Sequence, residues 1–335
     1  MSNIKRLLLL PHLTVHNANA LSSPFTIGFP AMTAWLGAVH ALQRKLNASD
    51  FPHIKFNSAG VISHQCDLQT HKGSGDFVHS IIGTGNPLEP KSEKGKPEGN
   101  AVRPSFIEEA RCHLDVSLVI EYSGIDKDDE ASIQEKITHL LNSRMKVAGG
   151  DILTFKQAEF FKVEQTNRND LHQLTRKLMP GYALTERRDL MIDAMEQGQD
   201  AMDALVDHLV IHHECNESDI GKHENENQAD SEKQVTWSSK RKTKGWIVPI
   251  ATGFHGLTEL GEAKNQRDPE APHRFAESVI TLGEFKMPHK INSVDEILWR
   301  YQKEENKDLY LCTQQAKTQI YTSNKPEDIL SSLFE

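Results

Sequence analysis

The sequence predicts an α+β fold built from two successive strand–helix–strand units, and three observations carry that prediction. Leu7 to Leu10 form an uncharged apolar run, continued by Leu13 and Val15 beyond Pro11, as a buried strand requires. Leu114, Val116, Leu118 and Ile120 alternate with Asp115, Ser117 and Glu121, the period of a strand with one buried face. Met32, Leu36, Val39, Leu42 and Leu46 recur at helical spacing, as do Ile133, Ile137, Leu140, Leu141 and Met145.

Taken in order, the elements are a strand near 6–15, a helix near 30–46 and a strand near 54–64. Pro11 restricts the first strand to a sheet edge or a bulge. Between this strand and the helix lies a polar connector, Asn17 to Pro24, longer than the usual 2–6 residues and suited to a binding surface. Residues 71–104, rich in Gly, Pro, Lys and Ser, read as an extended excursion or long hairpin. The alternating strand follows, then a helix over 130–147 that ends on Gly149-Gly150 as a left-handed C-cap, then a strand at Ile152 to Phe155. This is the order of the ferredoxin-like (RRM-like) fold, shared by RNA-recognition modules. It assigns residues 1–156 to one core with a hairpin insertion near 71–110.

Residues 157–335 read as a mainly helical, loop-rich region. Leu171, Leu174 and Leu178 mark a helix that stops at Pro180-Gly181, and helices over 187–212 are interrupted at Gly198. The stretch 214–244 is nearly free of apolar residues and is expected to be disordered or a mobile loop. GWIVPI at Gly245 to Ile250 resumes as a strand. Ser293 and Glu296 form a capping box before Ile297, Leu298 and Trp299. Tyr310 to Tyr321 reads as strand or loop.

At 335 residues the chain has room for one large domain or two. Its four cysteines are widely spaced without a C-x-x-C, which speaks against a disulfide framework or zinc ribbon and for a reducing cytosol. The apolar run after Lys5-Arg6 is too short for a signal peptide, and no segment reaches the roughly 18–20 apolar residues of a membrane span. A soluble cytoplasmic protein is expected. The net charge of −9 argues at first against a nucleic-acid ligand. Residues 214–232, however, hold seven acidic side chains against one lysine. Cations gather elsewhere, at Arg168, Arg176, Lys177, Arg187, Arg188 and Lys240 to Lys244. Local field matters more than total charge for a polyanion.

Candidate chemistry is sparse. His208 and His212 stand at i, i+4 beside His213, Glu214 and Cys215, a spacing that can present two imidazoles to a metal; a solvated helix end accounts for it more simply. His12, His16, His40, His64, His71 and His113 lack a Ser/His/Asp order or a G-x-S-x-G elbow. Gly73-Ser74-Gly75 and Gly83-Thr84-Gly85 suit turns better than phosphate loops. No catalytic centre, metal or cofactor is therefore expected. Three basic spots remain: Arg111-Cys112-His113 at a strand start, Arg176-Lys177 at a helix end, and Arg274 within Pro272 to Phe275. Each can meet phosphate or simply be solvated.

Six blocks of the chain carry a resemblance. LLLLPHLTVHNANALSSPFTIGFPAMTAWLGAVHALQRKL is followed by EEARCHLDVSLVIEY, AGGDIL, LTRKLMPGYAL, GWIVPIATGF and HRFAESVITLGEF. In this order, from about Leu7 to about Trp299, they closely resemble the second-subunit family of the type I-F CRISPR (Csy) surveillance complex. That family belongs to the RNA-binding RAMP group. Residues 71–104 and 214–244 depart from it. The resemblance implies a ferredoxin-like RNA-binding core with a protruding hairpin, here within 76–110. It also implies pairing with the large Csy subunit, hold on the five-prime handle of the CRISPR RNA, and a hairpin against the first backbone subunit. Target DNA is met through the complex, in antiviral defence or RNA-guided DNA targeting. Because another subunit of such systems cuts the RNA, no catalysis is implied here.

A single-stranded tag needs amides and hydroxyls for base edges and cations for phosphates. Asn17, Asn19, Ser22 and Ser23 can supply the first, or can close their own loop's turns. Arg111, His113, Arg176, Lys177 and Arg274 can supply the second, and Gly149 and Gly150 allow close backbone approach. The alternative is a RAMP-type, metal-independent endoribonuclease acting on CRISPR repeat RNA through His12 or His113. A third reading is an adaptor that touches only protein.

Overall fold

A computed structural model describes residues 4–83, 89–93, 96–102, 109–164, 167–219, 233–264, 266, 268–302 and 308–314. Its first half runs β1 (Ile4–Asn19), α1 (Met32–Asn47), β2 (Lys55–Leu68), β3 (Arg111–Ser123), α2 (Glu130–Ser143), β4 (Gly150–Thr154) and β5 (Glu159–Glu164). The second half runs α3 (Arg168–Lys177), β6 (Tyr182–Glu186), α4 (Arg188–Glu196), α5 (Ala201–Leu209), β7 (Ile211–Asp219) and β8 (Lys233–Arg241). It closes with β9 (Ile247–Gly256), β10 (Ala276–Lys286), β11 (Trp299–Gln302) and β12 (Leu309–Gln314).

β1 lies at the centre, and its leucine run shows why. Leu7, Leu8 and Leu9 are fully buried and Leu10 nearly so. Leu8 and Leu10 pack on the side of α1 and α2, with Trp35, Leu42, Ile133 and Ile137. Leu7 and Leu9 pack on the opposite side, with Leu174 of α3, Leu178 at its C-cap, and Ile297 and Leu298. A strand covered on both faces reads as a continuous apolar run rather than an alternation.

Both edges of β1 are occupied, by β3 on one side and by β4 and β5 on the other, all antiparallel. Of the two positions open to Pro11, the structure takes the bulge. The β1–β3 register shifts between Leu10 and Leu13, and His12 adopts φ +52°. Pro11 lacks an N–H, but its carbonyl accepts the Lys156 N–H at 3.0 Å, in the link between β4 and β5.

The strand order β4–β1–β3–β2 then continues through β6, β10, β9, β12 and β11. β2 pairs with β6 at Ser63–Tyr182 and Ile62–Ala183. β11 returns to β2 at Trp299–Ala59, so the later strands close a circuit on β2. The molecule is thus a mixed α/β structure around one large antiparallel sheet. The helical C-terminal half expected from the sequence is not what forms. α3, α4 and α5 have only 10, 9 and 9 residues, and among the described residues of this half strands outnumber helices. α4 and α5 bury Met191, Ala194 and Leu205 against Ile247 and Leu282 of β9 and β10.

Other expectations change locally. α2 ends at Ser143, before Gly149-Gly150. Met145 and Val147 are buried, and Lys146–Val147 pairs with Gly150 and Asp151 in a tight hairpin, turned at Ala148 (φ +49°) and Gly149 (φ +75°). Of the stretch expected to be disordered or a mobile loop, 214–244, the described residues 214–219 and 233–241 belong to the ribbon β7–β8, paired from Ile211–Arg241 to Asp219–Lys233. Backbone pairing needs no apolar pattern, which is why composition missed it. Residues 220–232 lie outside the described residues. Within the 71–110 insertion, Glu89–Glu93 pairs with Lys96–Val102, while 84–88, 94–95 and 103–108 are not described. Ser293 caps a single 3-10 turn, accepting the Asp295 N–H at 3.3 Å, and Trp299 then opens a strand. The segment expected at Tyr310 to Tyr321 is strand to Gln314 and beyond that lies outside the described residues.

Two polar clusters lock this core. Lys5 of β1 bridges Glu121 of β3 at 2.9 Å and Asp295 at 2.8 Å. The Ser58 hydroxyl of β2 donates to Glu121 at 2.6 Å, and Arg300 of β11 stands 3.5 Å away. Burial pushes the Glu121 carboxyl up, but Ser58, Lys5 and Arg300 outweigh it and hold the group below its ordinary range. At the β1 bulge, the His12 N–H donates to the Ser117 hydroxyl at 3.0 Å. The His12 ring stacks on His64 at 4.2 Å. His64 contacts Ser117 Oγ through Nε2 at 2.7 Å and the Pro180 carbonyl through Nδ1 at 2.5 Å. Burial is the chief cause that pushes His64 below the ordinary histidine range, with like charge from His12 and Lys156 adding to it against Pro180 and Asp115.

Glu121→Ala leaves Lys5 and Arg300 without their shared anion and lowers the unfolding free energy by about 2 kcal/mol, read by urea denaturation. In the native chain this contribution is present above the ordinary carboxylate pKa of 4.5 and is lost as pH falls through the lower folded value. His64 works in the same direction higher on the scale. Above pH 6.5 its contribution is intact; as pH falls below 6.5 the unfolded chain takes a proton that the folded chain resists, and stability drops. His64→Gln flattens the melting temperature between about pH 6.5 and 5; an unchanged slope counts against the assignment.

Candidate nucleic-acid interface

Beyond the first bulge, β1 shifts register again between Val15 and Ala18, with Asn17 at φ +56°. This second irregularity swings the end of β1 towards the N-terminus of α1 and the hairpin turn at 146–150. Between them lies an open cleft of about 650 Å³ lined by Asn19, Ser22, Thr33, Arg111, Lys146 and Gly149, among others. Glu109 also borders it. At the start of α1, Ala31 sits at the N-cap with no side-chain cap, and the first turn has no acidic residue. The positive end of a 16-residue helix is therefore left uncompensated by its own side chains beside two cations.

The expected residues meet here in part. Arg111 donates to the Asn17 carbonyl at 3.2 Å and pairs with Glu109 at 2.5 Å. Gly149 is the turn residue facing Arg111, since a Cβ there stands 3.9 Å from the guanidinium and φ is +75°. Gly150 is different: a Cβ would strike the His16 carbonyl at 2.6 Å and Val15 at 2.7 Å, so its role is close packing under β1. The Asn19 side chain accepts the Leu21 N–H at 2.8 Å, and the Ser22 and Ser23 hydroxyls meet Thr26 Oγ1 at 2.8 and 2.7 Å. The connector therefore shapes its own turn and presents what remains to the cleft.

His113 lies next to this group. Its Nδ1 accepts the Asn17 N–H at 3.3 Å, its ring stands 4.3 Å from His16, and Gln69 reaches the Asn17 side chain at 2.8 Å. Arg176, Lys177 and Arg274 do not line the cleft. Lys177, at the end of α3, pairs with Glu159 at 2.9 Å. Arg274 donates to the Thr258 carbonyl at 2.8 Å and pairs with Asp308 at 2.6 Å.

The histidine clusters are built differently from a metal or nucleophile site. α5 stops at Leu209, so His208 and His212 do not share a helix face. His208 contacts Thr243 at 2.7 Å, His212 pairs with Asp207 at 3.3 Å and His213 contacts Ser239 at 2.9 Å. Among the described residues, no three His, Cys, Asp or Glu side chains converge as metal ligands. At the β1 bulge, Ser117, His64, His12 and Asp115 are adjacent, yet Ser117 is fully buried. His64 leans on a backbone carbonyl, and it is His12 that Asp115 holds, at 3.0 Å. A serine nucleophile needs its own base oriented by a third group, and that chain is broken here. Among the described residues, no helix is long and apolar enough to cross a membrane.

Sequence reading missed two features. Lys146 and the bare start of α1 are ordinary in sequence, and only the hairpin turn brings them to Arg111. A second pocket of about 300 Å³ opens beside the cleft and shares Ser22 with it. Phe29, Tyr182, Trp246 and Phe285 line it, together with His64 and Gln65 of β2. These rings are scattered along the chain and meet only because the sheet closes.

Comparison with known proteins agrees with the fold's extent. The family model described as CRISPR-associated protein (Cas_Csy2) matches residues 8–312. The CRISPR-associated protein Csy2 of Pseudomonas aeruginosa (strain UCBPP-PA14) is 33% identical over 326 residues, covering 91% of this chain and 94% of that protein. The match takes in β1, both bulges, the cleft and the closing strands, and on that evidence the chain belongs to the CRISPR-associated Csy2 family.

Proposed function

We propose that this chain is a non-catalytic subunit of a type I-F Csy complex that works in the cytoplasm and holds the five-prime handle of the CRISPR RNA. In this reading it pairs with the large subunit, sets its 71–110 hairpin against a backbone subunit, and meets target DNA through the assembled complex. Family membership supports the place in such a complex. The order β4–β1–β3–β2, with α1 and α2 packed on one side, supports reading the first half as a ferredoxin-like unit of the RAMP kind.

One observation carries the RNA contact: Asn19, Ser22, Arg111, Lys146 and Gly149 share a single cleft at the uncapped start of α1. Phosphate oxygens are met by the guanidinium, the ammonium and the helix-start amides. The Gly149 turn leaves the backbone open to close approach. Arg111 exchanges Glu109 for phosphate, a like-for-like swap of anions that makes binding sensitive to salt. Asn17 and His113 extend the surface on one side. Arg176, Lys177 and Arg274 contribute only if the RNA continues past the cleft.

The test uses the full chain co-expressed with the protein subunits and guide RNA of its own CRISPR system. Arg111→Ala speeds dissociation of labelled guide RNA from the purified complex about tenfold, as loss of a charge-assisted bond implies. Arg176→Ala combined with Lys177→Ala changes it by less than about twofold. The opposite ranking refutes the cleft as the grip. Guide-RNA cleavage by the isolated chain that disappears in His12→Ala overturns the non-catalytic reading.

A further inference from the structure

The pocket beside the cleft has features that the grip on phosphates does not use. Its floor and one wall are rings: Tyr182 and Trp246 meet at 5.1 Å and 79°, Trp246 and Phe285 at 5.0 Å and 51°, and Phe285 and Phe29 at 5.3 Å and 87°. Such mutually inclined rings let a flat ligand stack on one face while the edges of the others close around it. Trp246 is 50% exposed, an unusual state for an indole in contact with two aromatic rings. It is not loosely held. Its carbonyl accepts the Phe285 N–H at 3.0 Å, and Gly245 at φ +110° makes the turn that delivers it to the rim.

Much of the polar part of the lining comes from β2. Beyond Ser63 that strand is no longer paired to β6, so its edge at His64, Gln65 and Cys66 faces the pocket. The Gln65 amide nitrogen donates to Asp67 at 2.5 Å, while its oxygen has no partner among the described residues and is available to accept. About 300 Å³ is at the lower end of ligand pockets, which suits one planar ring system and not two. Ser22 borders both cavities, so a chain whose phosphates lie in the cleft passes the mouth of the pocket.

Resting on the RNA-gripping role proposed above, we propose that this pocket captures one unpaired nucleobase turned out of the strand held in the cleft. The base stacks on Trp246 between Tyr182 and Phe285, and its edge is met by Gln65. Stacking tolerates any base, whereas an edge contact selects among them. The cleft then supplies hold and the pocket supplies register.

The experiment uses the assembled complex with its own guide RNA. Zero-length ultraviolet crosslinking joins the peptide containing Trp246 to one nucleotide. Trp246→Leu, which stays apolar but loses the aromatic face, speeds RNA dissociation about tenfold, and Trp246→Phe less than about threefold. Removing the base at the crosslinked nucleotide costs as much in the native complex and adds nothing in Trp246→Leu, as a shared contact requires. A Trp246 crosslink to another protein subunit overturns the proposal and makes the pocket a protein-docking site. Additive losses, or no loss in Trp246→Leu, also overturn it. If Arg111→Ala is silent as well, the RNA-gripping reading itself fails; if Arg111→Ala acts and Trp246→Leu does not, only the base pocket falls.

Discussion

Burial of Leu7 to Leu10 on both faces of β1 is the constraint on which the rest of the structure depends. Four consecutive apolar side chains cannot be satisfied by one covered face, so helices must cover one side, and α3 with the 288–298 segment the other. Fully burying one such side chain is worth roughly 1.5–3 kcal/mol, and the four together outweigh the irregularities that follow. Those irregularities are the two bulges at His12 and Asn17, which re-aim the polar end of β1 while its apolar half stays fixed. The first seats the His12–His64–Ser117 cluster. The second turns the strand end into the cleft.

A chain of net charge −9 still gathers basic side chains locally. The acidic surplus lies largely between 214 and 232, away in sequence from the cleft. The cleft sets Arg111, paired with Glu109, and Lys146, paired with Asp151, beside the start of α1, which has no acidic residue in its first turn. In the proposed reading a phosphate takes the place of these side-chain anions, and the aromatic pocket shares Ser22 with the cleft.

How much of this was legible in the sequence follows from the kind of signal each element carries. The β1, α1, β2, β3 and α2 elements carried strong periodicity, and each formed within a few residues of its expected place. The strands from Tyr182 onward were mostly missed for a physical reason. Val279 to Leu282 and Ile297 to Trp299 are short apolar runs, which do not distinguish strand from helix. The β7–β8 ribbon is held by backbone pairing between polar residues, so it leaves no hydrophobic trace. Gly149-Gly150 was recognised as a special backbone position but assigned to the wrong element, because Met145 and Val147 continue the apolar spacing after α2 has ended. Of the residues lining the cleft, Asn19, Ser22, Arg111 and Gly149 had been singled out from the sequence. Lys146 and the four aromatic residues had not, since the hairpin turn brings Lys146 to the cleft and sheet closure gathers the rings.

Hydrogen–deuterium exchange on the assembled complex, compared with and without its guide RNA, tests the central claim most directly. RNA-dependent protection concentrated at residues 17–22, 31–34, 109–111 and 146–150 is the predicted result. Protection absent from these segments, and found instead only at the 71–83 region or along β7 and β8, contradicts the account.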